Sequence, residues 1–174
     1  MNRQINQIIK IAILFSGLLL HTALQAQTVI ALVGGTLIDG YGGHPLENSV
    51  ILIQGNQIKA VGQVGSLAVP AGAEIISTEG MSVLPGLWDM HVHLMINGHA
   101  DYDHWDKTYP SRFRDEIMPA SAKQLLLAGI TSARDLGGPL DDVMAVKKAI
   151  NDGKIHGPTL YVSGPFIQHK PYPG

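Results

Sequence analysis

The chain has 174 residues, 45% hydrophobic and 15% charged, with a formal net charge of −2. That composition can bury a core, excludes a disordered polyelectrolyte and gives no electrostatic reason to expect a nucleic-acid partner. Cysteine is absent, which excludes disulfides, thiolate catalysis and cysteine-ligated metals, so the eight histidines carry most of the metal-binding potential.

Residues 1–26 read as a signal peptide rather than as part of the fold. "MNRQINQIIK" carries Arg3 and Lys10 as its only charges, and "IAILFSGLLL" is an apolar run too short to span a bilayer comfortably. The polar, small-residue stretch "HTALQAQT" follows, with cleavage expected after Ala26. The implied location is periplasmic or secreted, with no membrane association beyond the export signal.

Residues 27–84 alternate short β-type runs with tight turns. "TVIALVGGTLIDG" is broken at Gly34-Gly35, "SVILIQGNQIKAVG" turns at Gly55-Asn56 as a two-residue hairpin, and "AEIISTEGMSVLPG" adds two further runs. The pattern predicts a small antiparallel β domain without chemistry of its own. Asp39, His44 and Glu47 read as turn and surface residues.

From Pro85 to residue 174 the rhythm becomes strand, long connection, helix, strand, helix, strand. "GLWDMHVHL" is the first strand, with Trp88 expected in the core, and a long loop "NGHADYDHWDKTYP" follows. In "RDEIMPASAKQLLLAG" the residues Ala122, Leu125 and Leu126 keep helical spacing, and Gly129 is a natural stop. "ITSARDLGG" is the second strand. "PLDDVMAVKKAINDG" is the clearest helix, with Asp141 and Asp142 at its positive end, Lys147 and Lys148 toward its negative end, and Gly153 closing it. "GPTLYVSGPF" is the third strand. Such alternation implies parallel strands with right-handed crossovers. The alternation fits an α/β layer or a barrel. A closed eight-stranded barrel needs roughly 250 residues, and three parallel strands alone would leave edges unpaired, so the chain is expected to be the front part of a larger protein.

The residues able to do chemistry concentrate in "LPGLWDMHVHL". His91 and His93 stand two apart, so on a strand both side chains leave the same face, and neutral imidazole suits zinc and its neighbours. Alone, such a pair is a weak signal. A catalytic zinc uses three protein ligands and an open position. Arg134 and Asp135 end the second strand and read as a structural pair or a loop contact, with substrate contact the lesser alternative. His99 and His104 read as solvated loop histidines, and His169, after the third strand, as a possible substrate contact.

Taken together, "LPGLWDMHVHL", "AGITSARDLGG" and "GPTLYVSGPF" resemble the first three barrel strands of the amidohydrolase superfamily, and the β-rich segment before them resembles the start of its composite β domain. The "RDLGG" and "SGPF" pieces are similar to the imidazolonepropionase- and prolidase-like branch. The resemblance implies an α/β fold beginning a TIM-type (β/α)8 barrel. It also implies one or two divalent ions, most simply Zn2+, that activate a water toward a carbon–nitrogen bond in an amide, cyclic amide or dipeptide-like small molecule. It carries His91 and His93 over as metal ligands and matches Asp89 to the Asp that precedes them, with an orienting role. Asp89, Arg134 and His169 are the candidates for contacts around the metal or the substrate. The bridging ligand, the later ligands and the general base are expected beyond residue 174, and Lys170 is not taken for the bridging lysine. The alternatives are a non-catalytic truncated or split-barrel binding module, or a related reaction such as ring deamination or lactone opening.

Overall fold

Alternating apolar residues and glycine turns shape the first part of the chain in the computed structural model, which describes residues 28–96 and 101–167. The chain forms two compact units, Met1–Leu84 and Pro85–Gly174. The predicted signal peptide lies outside the described residues.

In the first unit the strands are β1 (Val29–Val33), β2 (Thr36–Leu37), β3 (Ser49–Gln54), β4 (Gln57–Gln63), β5 (Glu74–Ser77) and β6 (Ser82–Val83). One sheet runs β4-β3-β1-β5, and β2 pairs with β6. Ala31 lies opposite Leu52 and Val33 opposite Val50. The buried cluster is Ala31, Val50 and Leu52, with Val29, Val33 and Leu67 packed against it. A period of two puts these residues on one face.

The hairpin forms at Gly55-Asn56, where Gly55 adopts φ 61°. The sheet is nevertheless mixed, not antiparallel throughout: β5 runs parallel to β1, and β6 parallel to β2. β3 and β4 are antiparallel neighbours joined by a tight turn. The longer connection after β4 returns the chain to the free edge of β1 in the same direction. At the Gly34-Gly35 corner the Gly35 N–H donates to Thr78 Oγ1 (2.9 Å), and Ser49 Oγ–H donates to the Gly35 carbonyl (2.9 Å). A Cβ on Gly35 would sit 2.8 Å from the Thr78 carbonyl oxygen, so the close approach demands glycine.

The second unit holds β7 (Leu87–Val92), β8 (Ile130–Asp135) and β9 (Thr159–Val162) as a parallel sheet in the order β7-β8-β9. Its helices are α1 (Tyr102–Thr108), α2 (Met118–Leu127) and α3 (Leu140–Asn151), with a 3-10 turn (Pro110–Arg112) and a π-turn (Phe113–Ile117) leading into α2. Apolar residues at helical spacing, Met118, Ala122 and Leu125 on α2 and Val143, Val146 and Ile150 on α3, meet Ala133 of β8 and Leu160 of β9 in one core with Leu94 and Phe113. Gly129 ends α2 at φ 83°, and Gly153 follows α3 at φ 70°. Pro139 stands at the N-cap of α3, one residue before the first turn.

Two expectations need correction here. The long connection after β7 is not a bare loop, because α1 forms within it: the Asp101 side chain accepts from the His104 N–H (3.0 Å) and caps the helix. Trp88 is 53% exposed. It pairs in register with Ser132, on the face opposite Ala133, and stacks on Tyr161 with centroids 5.4 Å apart. The helices cover the other face.

Candidate metal centre

β7 delivers the two histidines from the C-terminal end of a strand whose pairing with β8 is interrupted. Asp89 lies opposite Ala133 and Val92 opposite Asp135, three residues on one strand against two on the other. The extra residue keeps Val92 against the core and breaks the simple alternation that would put Asp89 on the face of His91. At the break Asp89 Oδ1 accepts the His91 N–H (3.0 Å). The carboxylate thus holds backbone next to the pair.

The imidazoles converge. His91 Nε2 and His93 Nε2 are 3.2 Å apart, with the ring planes at 74°. Two nitrogens on one tetrahedral zinc, each at the usual Zn–N distance, are separated by about 3.3 Å, so the pair fits a shared ion of that size. His91 is exposed and His93 is half-buried.

His93 Nδ1 lies 3.1 Å from the Gly137 carbonyl oxygen. A carbonyl only accepts, so Nδ1 carries the proton and Nε2 keeps its lone pair for a cation. The ring of Phe166 lies beside His93, centroids 5.4 Å apart. Phe166 also walls a cleft of about 360 Å³ lined by Met95, Ile96, Phe113 and Pro139.

Of the two expectations for Arg134 and Asp135, the structural pair is absent and the loop contact is made by Asp135. Adjacent residues of a strand point to opposite faces: Arg134 is exposed, in register with Tyr161, while Asp135 is 1% exposed on the core side. Asp135 accepts two backbone N–H groups, from Leu94 (3.0 Å) and from Gly137 (3.1 Å). Burial pushes its carboxyl pKa up, against the opposing pull of those two donors and of His93.

His104 is held within α1, its ring near Tyr109. His99, His169 and Lys170 lie outside the described residues. Among the described residues no third His, Asp or Glu joins the pair in a group able to hold a metal. Sequence reasoning missed the part played by Gly137 and the burial of Asp135. The readable signal was Asp-x-Gly at a strand end, a spacing at which a carboxylate reaches the N–H two residues on.

Residues 82–172 match the model of the amidohydrolase family. That is more than half of the chain, and the chain belongs to this family. An ochratoxinase of Aspergillus niger is 36% identical over 143 residues, covering 78% of this chain and 28% of the relative. Among solved structures, molinate hydrolase superposes with a TM-score of 0.70 at 28% identity, over 82% of this chain and 31% of the other. A Xaa-Pro dipeptidase with methionine bound in its active site gives 0.64 at 27%, over 80% and 34%. The chain therefore spans about a third or less of the length of these relatives. The kinship expected from the three strand motifs holds, prolidase-like neighbours included.

Proposed function

We propose that the chain contributes the first metal-binding strand of a metal-dependent amidohydrolase that hydrolyses a carbon–nitrogen bond in an amide, cyclic amide or dipeptide-like substrate. The observation that carries this is the 3.2 Å convergence of His91 Nε2 and His93 Nε2 at a strand end, in a chain of this family. Xaa-Pro dipeptidase among the neighbours favours a small, dipeptide-like substrate.

His91 and His93 would hold a divalent ion, zinc by the chemistry of the donors, as one of one or two ions. Such an ion, when bound, supplies a Lewis acid that lowers the pKa of water and polarises the scissile carbonyl. The Gly137 carbonyl keeps the proton of His93 on Nδ1, and Phe166 shields one side of that ring from water. Asp89 orients the backbone that carries His91. β7, β8 and β9 would be the first three strands of a (β/α)8 barrel, with the remaining ligands and the general base on later strands. The leader would direct the protein out of the cytoplasm.

The test is the double variant His91→Ala/His93→Ala in the full-length protein, with metal content by elemental analysis and turnover on a panel of N-acyl amino acids and Xaa-Pro dipeptides. Loss of metal together with a fall in kcat/KM of about 100-fold or more is expected. Full metal stoichiometry with undiminished turnover would refute the reading.

A further inference from the structure

We propose that Asp135 is a positioning residue for the metal centre: from the core side of the sheet its single carboxylate fixes both the backbone leaving His93 and the carbonyl that holds the His93 ring. The inference rests on the reading that His91 and His93 share a divalent ion.

The contacts close a ring. Asp135 Oδ2 accepts the N–H of Leu94, the residue after His93, at 3.0 Å. Its Oδ1 accepts the N–H of Gly137 at 3.1 Å, and the Gly137 carbonyl accepts His93 Nδ1–H at 3.1 Å. A shift of the carboxylate therefore moves the His93 backbone and the hydrogen bond of its ring together. An ionised Asp suits this task because it offers two acceptors and no donor on a short stem. Asn would offer one acceptor and turn its NH2 toward a backbone N–H.

The residue type is also costly where it stands. Asp135 shares its face of the sheet with Ala133, Leu160 and Val162, and among the described residues no Lys or Arg forms an ion pair with it. Burying a carboxylate without a counter-cation opposes folding. An apolar side chain would serve the core better, so the carboxylate answers to the two N–H groups and to what they hold.

The experiment uses the full-length protein, unsubstituted and as Asp135→Asn, freed of metal and then titrated with Co2+. With 15N-labelled histidine, NMR of the unsubstituted metal-free protein is expected to show the His93 proton on Nδ1. In folded Asp135→Asn, judged by circular dichroism, mixed tautomers and a Co2+ dissociation constant raised about 10- to 100-fold are expected. A role in stability alone would lower the melting temperature and leave tautomer and affinity unchanged, and that result overturns the proposal. Should Asp135→Asn fail to fold, amide exchange in the unsubstituted protein decides: the Leu94 and Gly137 amides are expected to be protected together, and free exchange at either overturns it. Failure of the unsubstituted protein to bind Co2+ refutes the metal reading, while the tautomer comparison still judges the positioning.

Discussion

Gly137 serves three neighbours at once. Its carbonyl accepts from His93, its N–H donates to Asp135, and its bare α-carbon lies against Phe166. A Cβ there would overlap the Phe166 ring, so Gly137→Ala must displace either the ring or the carbonyl. Overpacking of this kind costs about 1–3 kcal/mol. We expect Gly137→Ala to lower the melting temperature and weaken metal binding, and Phe166→Ala in the same molecule to recover most of the stability. A double-mutant cycle checks this, and additive losses would show that the ring is not what the new methyl meets. At this scale the sequence named His91 and His93 through their spacing, because strand geometry links i and i+2 directly. It could not place Asp135, whose partners lie two and 41 residues away, nor a backbone carbonyl as the hydrogen-bond partner of His93.

β7 and β8 are set by contact as much as by hydrogen bonds. The Leu87 N–H donates to the Gly129 carbonyl (2.9 Å), and just before it Gly86 lies so close to Thr131 that a Cβ would fall 2.7 Å from the Thr131 Cβ and nearer still to its hydroxyl and methyl. Gly86→Ala is therefore expected to destabilise by about 1–3 kcal/mol in denaturant unfolding. Adding Thr131→Ala should rescue it only in part, since the Thr131 Cβ remains. Full rescue, or no loss from Gly86→Ala, would mean that the strands do not approach so closely.

Most elements were legible because their signals are local: the charges at the two ends of α3, the α2 stop at Gly129, the turn at Gly55-Asn56. Three features were not. The parallel placement of β5 beside β1 depends on a long-range choice of sheet edge, and the extra residue in β7 depends on β8 as its partner. The cap that starts α1 is a single Asp side chain in a stretch whose polar, aromatic composition reads as loop.

Across the molecule, one face of the β7-β8-β9 sheet is packed under α2 and α3, and the other presents Trp88 and Tyr161, each about half exposed. The histidine pair stands where β7 ends, beside the residues that follow β8 and β9. In α/β barrels that edge is where chemistry is assembled. The sequence disclosed this arrangement through three strand motifs in order, while the mixed topology of the first unit came only with the structure. Whether the two rings share an ion is read most directly by X-ray absorption at the metal edge of the full-length, zinc-loaded protein. Converging Nε2 atoms predict imidazole nitrogens in the coordination sphere at about 2.0–2.1 Å, with one fewer around the zinc retained by each single variant, His91→Ala and His93→Ala. A sphere with the same number of imidazoles in both single variants would contradict it.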